Sequence, residues 1–201
     1  MKVKICGITT LAILNAVIDA GADFIGFVFF EKSKRNISPE KAKELTKNVP
    51  QNIKKVGVFV DEPLENLLKI VDYVGLDIVQ LHGNENARYC EKIPFEKIKV
   101  IKIVDGKFVQ DLDDFPNITL MFDAQNSGGG KKFDWEKIKL SKIKERKFFI
   151  AGGLNCENVV SAITYFTPYA VDVSSGVETN GVKDIAKIKR FLEIAKGDEY
   201  V

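Results

Sequence analysis

The chain has 201 residues, 45% of them hydrophobic and 29% charged, with a formal net charge of +2. Those values suit a single globular domain spanning residues 1–201, and lysines scattered among acids leave no basic stripe for nucleic acid. No apolar run reaches the roughly 18 residues that span a bilayer, and the N-terminus reads as a first strand rather than a leader, so the expected location is the cytoplasm.

Apolar, largely β-branched runs alternate with amphipathic stretches along the whole sequence. Strands are expected to start near Lys2, Phe24, Lys55, Ile78, Lys99, Ile118, Phe148 and Ala170. Gly21 suits the end of the first helix, after Leu11 to Ala20. Ser38-Pro39-Glu40 gives the second helix an N-cap, a proline and an acid in its first turn. Val104 to Asn117 is too short for more than a truncated helix. Asn155 is placed to cap the helix holding Val159, Val160, Ile163 and Phe166. Asp184 is placed to cap the last helix, where Ile185, Ile188, Phe191, Leu192 and Ala195 recur at helical spacing.

Strands that alternate with helices make a parallel sheet. Eight units in about 200 residues match the lower size limit of a (β/α)8 barrel. An open dinucleotide-binding sheet would carry G-x-G-x-x-G after its first strand. That turn here reads Cys6-Gly7-Ile8-Thr9-Thr10, so a single-domain (β/α)8 TIM barrel is the expected fold.

The cysteines Cys6, Cys90 and Cys156 are odd in number and far apart, which fits free thiols. A single histidine, His82, excludes metal sites built on several histidines, while an all-oxygen magnesium site stays open. Cys90 and Cys156 fall on expected helices and read as structural, although a helix start near Cys156 would lower its pKa.

In a barrel every strand ends at the same face, where the active site lies. Cys6 ends the first strand and Asp123 the sixth, so the two meet there as candidate base and acid. A free thiol, with pKa about 8.5, is only slightly ionised at neutral pH. Strand alternation puts Lys2, Lys4 and Cys6 on one face, so Lys4 is expected inside the barrel, favouring the thiolate. Asp172 faces inward with Ser174, to meet either Lys4 or a substrate nitrogen. Arg35 offers a guanidinium fork for a carboxylate. His82 is either a substrate contact or a structural histidine. Three glycine turns, at Gly128-Gly129-Gly130, Gly152-Gly153 and Ser174-Ser175-Gly176, let backbone N–H groups approach a phosphate. The expected ligand is therefore a small phosphorylated molecule.

Val3-Lys4-Ile5-Cys6-Gly7-Ile8-Thr9, Ser33-Lys34-Arg35, Gln80-Leu81-His82-Gly83, Gly130-Lys131-Lys132-Phe133-Asp134-Trp135, Gly152-Gly153-Leu154 and Val171-Asp172-Val173-Ser174-Ser175-Gly176-Val177-Glu178 follow in order. Together they resemble the phosphoribosylanthranilate isomerase family of tryptophan biosynthesis. The resemblance implies a (β/α)8 barrel and an Amadori rearrangement without cofactor or metal. It implies Cys6 as general base, Asp123 as general acid and Arg35 as holder of the anthranilate carboxylate. It further implies phosphate contacts from the turns at Gly129, Gly130, Gly152, Gly153, Ser174, Ser175 and Gly176. This chain has Ser33-Lys34-Arg35 where many members have Ser-Pro-Arg, and Ser127-Gly128-Gly129-Gly130 where most have Gly-Gly-Ser/Thr-Gly. The histidine-pathway isomerase, which performs the same rearrangement, usually uses two aspartates, and Cys6 stands at the first position here. A silent ligand-binding barrel remains the alternative from another class. Monomer and homodimer both remain open.

Overall fold

The computed structural model describes residues 1–104, 107–123, 143 and 146–197. In chain order its elements are β1 (Lys2–Cys6), α1 (Leu11–Asp19), β2 (Phe24–Phe29), α2 (Pro39–Thr46), β3 (Lys54–Phe59), α3 (Leu64–Val74), β4 (Ile78–Leu81), α4 (Ala87–Glu91), β5 (Glu96–Val104), β6 (Lys107–Phe108), β7 (Thr119–Asp123), β8 (Phe148–Ala151), α5 (Val159–Phe166), β9 (Ala170–Val173), β10 (Glu178–Thr179), β11 (Val182–Lys183) and α6 (Ile185–Lys196).

Eight parallel strands run β1-β2-β3-β4-β5-β7-β8-β9, and β9 pairs with β1 to close the barrel. The strand starts follow the apolar runs closely. The largest difference is at β5, which begins at Glu96 because Glu96 and Lys97 pair with Ile78 and Val79. Charged residues opening a strand leave no hydrophobic signal. Between Val104 and Asn117 no α-helix forms among the described residues. Lys107–Phe108 instead turns back on Ile103–Val104, and a single 3-10 turn covers Leu112–Asp114. Pro116, which lacks an amide N–H, ends any helix there.

Local capping explains most helix starts. Ser38 Oγ accepts from the amide N–H of Lys41 ahead of Pro39, and Asp184 accepts from those of Ala186 and Lys187. Gly21 lies two residues past the end of α1, just after the C-cap Ala20, in the left-handed region at φ 79°. Asn155 Oδ1 accepts from the amides of Glu157 and Asn158, making a turn that leads into α5 rather than capping its first residue. Cys156 therefore sits in that turn and not within the helix.

Apolar side chains fill two shells. Outward residues of the strands pack under the helices, with Ile5, Ile25, Phe27, Val79 and Val171 among them. Inward residues Phe24, Val56, Ile78, Ile98, Val100, Met121, Phe149, Ala151 and Ala170 fill the barrel interior. Above these, toward the strand C-termini, the interior turns polar and the site begins.

Candidate active site

A cavity of about 310 Å³ opens at the strand C-termini, a size suited to a small ligand. Cys6, Arg35, His82, Asp123, Gly152, Gly153, Asp172, Ser174 and Ser175 all line it. Residues from six strand ends thus converge as the barrel geometry requires. Gly129 and Gly130 lie outside the described residues.

Cys6 is buried beside Lys4, which has no exposed surface at all. Lys4 stands opposite Asp172 in the β1–β9 register and donates to its Oδ1 at 2.8 Å. Of the two partners open to Asp172, the structure thus supplies Lys4, and the carboxylate still lines the cavity. Burial pushes the Cys6 thiol up and nearby Asp172 adds to this, while the ammonium groups of Lys4 and Lys183 pull it down. The net direction is upward. Burial would lower Lys4, but Asp172 and the thiol hold it above its ordinary value.

Room for this packing comes from Gly26 on β2, the register partner of Cys6. A Cβ there would lie 2.7 Å from Cys6 Sγ and 3.1 Å from Lys4 Nζ. Sequence reading passes over Gly26 as one residue of an apolar strand. The available signal was that an isolated glycine inside a strand often marks close approach.

Asp123 Oδ2 lies 3.3 Å from His82 Nε2. Gln80 Nε2 lies 3.4 Å from His82 Nδ1. The imidazole is therefore held between an amide and the carboxylate. Gln80 is 1% exposed and lines the cavity, yet its Oε1 has no hydrogen-bond partner among the described residues. A buried amide oxygen left in this way is costly unless a ligand completes it.

Arg35 is more elaborately held than its loop position suggests. Its Nε and Nη2 donate to Glu178 Oε1 and Oε2 at 2.6 and 2.8 Å. Gly7, at φ 85°, lets the side chain cross the turn after β1, since a Cβ there would lie 2.6 Å from Arg35 Cδ. Lys183 Nζ donates to Glu178 Oε1 at 2.5 Å and to the Ser174 carbonyl at 2.9 Å. Burial alone would raise Glu178, but these two cations bring its carboxyl below the ordinary glutamate range. Burial lowers Lys183, and Glu178 offsets part of that. Neither Glu178 nor Lys183 stood out by spacing as a site residue. Pairing across the β10–β11 hairpin makes them neighbours.

The two described glycine turns lie side by side. Gly152 and Gly153 have φ of 91° and 65°, which side chains rarely adopt. Gly176 packs on the Leu154 carbonyl so closely that no Cβ could fit. Ser174 Oγ is already committed, donating to the Cys6 carbonyl at 3.1 Å. Cys90 is fully buried, and Cys156 is raised by burial, not lowered by its place before α5.

Comparison with known proteins agrees with this geometry. Residues 3–194 match the family model for N-(5'phosphoribosyl)anthranilate (PRA) isomerase. An N-(5'-phosphoribosyl)anthranilate isomerase of Listeria monocytogenes is 51% identical over 99% of this chain and 100% of its own length. One from Streptococcus pneumoniae is 48% identical over 97% of this chain and 96% of its own. Among solved structures, the isomerase of Thermotoga maritima superposes with a TM-score of 0.85 at 40% identity, covering 98% of this chain and 99% of its own. Another isomerase, solved with reduced 1-(o-carboxyphenylamino)-1-deoxyribulose 5-phosphate, gives 0.81 at 38% identity over 98% and 99% of the two chains. Barrel, cavity and whole-length identity converge: this chain belongs to the N-(5′-phosphoribosyl)anthranilate isomerase family, enzymes of tryptophan biosynthesis.

Proposed function

We propose that Cys6 and Asp123 are the general base and general acid of an Amadori rearrangement in this cavity. The substrate is N-(5-phosphoribosyl)anthranilate and the product 1-(2-carboxyphenylamino)-1-deoxyribulose 5-phosphate. The observation that carries this reading is that both side chains, 117 positions apart in sequence, line one cavity.

Asp123 protonates the furanose ring oxygen and the ring opens to an iminium. Cys6 then removes the proton from C2′, giving an enolamine that becomes the ketone. A base that works as a thiolate needs the Lys4 and Lys183 ammonium groups close by, because burial opposes ionisation. His82 orients Asp123 through their contact. Arg35 takes the anthranilate carboxylate. Asp172, anchored by Lys4, accepts from the amine nitrogen with its second oxygen. Backbone amides at Gly152, Gly153, Ser175 and Gly176 hold the phosphate, joined by Gly129 and Gly130. Ser174 serves through its backbone, since its hydroxyl bonds Cys6.

The test forms phosphoribosylanthranilate in situ and follows loss of its fluorescence. Native protein should turn it over, and Cys6→Ser and Asp123→Asn should each lower kcat about 10²-fold or more, the usual contribution of a positioned acid or base. Near-native turnover by either variant would remove the role assigned to that residue.

A further inference from the structure

The chemistry above uses Lys183 only as a charge near Cys6 and leaves Glu178 unused, although both side chains are more than nine-tenths buried. Their arrangement raises an electrostatic question. Arg35 is given one carboxylate by the protein, on the edge formed by Nε and Nη2. A guanidinium has a second bidentate edge, formed by Nη1 and the other N–H of Nη2. If the substrate carboxylate takes that edge, two negative groups flank a single positive one.

We infer that Glu178 and Lys183 form the specificity device for the substrate carboxylate: Glu178 fixes the Arg35 fork side-on, and Lys183 supplies the second positive charge. This inference rests on the role of Arg35 proposed above. With substrate bound, the charges are Arg35 and Lys183 against Glu178 and the ligand carboxylate, and they cancel. Without Lys183 the same cluster would carry one net negative charge in a largely buried setting, where such imbalance is costly. Geometry supports the division of labour. Lys183 reaches Glu178 Oε1, the oxygen that Arg35 Nε also uses, so both cations converge on one carboxylate. Lys183 is in turn fixed by the Ser174 carbonyl and hydroxyl, which ties it to the turn after β9. Glu178 and Lys183 are therefore positioning residues that act through Arg35.

The experiment compares two ligands by titration calorimetry. One is reduced 1-(o-carboxyphenylamino)-1-deoxyribulose 5-phosphate, and the other is its phenylamino counterpart without the carboxylate. Native protein should prefer the first. Lys183→Met should shrink that preference about tenfold or more by weakening the carboxylated ligand alone, and Lys183→Arg should keep most of it. Adding Glu178→Gln to Lys183→Met restores the charge balance and should recover most of the lost preference. Circular dichroism checks folding, and Lys183→Gln gives the same reading should the methionine variant not fold. An unchanged preference in the folded Lys183→Met or Lys183→Gln protein, or equal weakening of both ligands, overturns the inference while leaving Arg35 in place. Failure of the double variant to recover the preference overturns the charge-balance argument. No preference in the native protein overturns the Arg35 role, and the inference with it.

Discussion

Single atoms decide the chemistry at the mouth of the barrel. The Cys6 thiol is pushed up by burial and pulled down by Lys4, so the two effects can be separated. Titrating the alkylation rate of Cys6 should place its midpoint above the ordinary thiol value of about 8.5. Lys4→Met should move that midpoint further up, because it removes an ammonium and leaves Asp172 unpaired. Gly26 is equally decisive. Gly26→Ala would drive a methyl into Cys6 Sγ and Lys4 Nζ. We expect a loss of about 1–3 kcal/mol in urea denaturation, as for other overpacked sites, together with a fall in kcat. The placement of Cys6, Asp123 and Arg35 around one cavity was legible in the sequence because each closes a strand or follows one. Gly26 and Gln80 were not, since their importance lies in what stands on the neighbouring strand or residue.

Secondary elements are held to the site by buried charge as well as by apolar packing. Lys99 on β5 has no exposed surface and donates to Glu85 Oε2 at 2.7 Å and to the Gly83 carbonyl at 2.8 Å. Glu85 in turn accepts from the amides of Asp61 and Gly83. One cluster thus ties the loops after β3 and β4, and with them the approach to His82. Lys99→Met leaves Glu85 buried and unpaired, so it should cost about 3–5 kcal/mol in chemical denaturation. The β10–β11 hairpin depends on charge in a pH-dependent way. Glu178 is held below its unfolded value by Arg35 and Lys183, so its contribution is present above that unfolded value, about 4.3, and is lost as pH falls through the lower folded one. The melting-temperature gap between native protein and Glu178→Gln should therefore close on acidification. A gap that stays constant would show that Glu178 acts by packing alone. Periodicity made the strands and the long helices legible, and Ser38 and Asp184 announced their caps. The Glu96 strand start was hidden because charged residues carry no apolar period, and the Lys107–Phe108 return because two residues are too few to show one.

At the scale of the whole molecule, closure of the sheet joins its first and last barrel strands. Alternation made the parallel sheet legible, and eight units without a dinucleotide-binding turn after the first strand made the closed barrel so. The meeting of Lys4 and Asp172, 168 positions apart, was legible as one of two partners open to that carboxylate, and the register of the closing strands supplies it. Because β1 is completed by β9, a chain ending at Thr167 should give no turnover and no cooperative thermal transition. Contacts this distant in sequence form late and slowly, because loop closure must be achieved before they reward it. The same pairing has a consequence for synthesis. While the protein is being made, the ammonium of Lys4 emerges early and waits, hydrated, for a carboxylate translated near the end. A partly synthesised barrel that tried to close without it would have to bury a naked cation. Favourable burial of Lys4 therefore comes only with the last barrel strand, which carries Asp172.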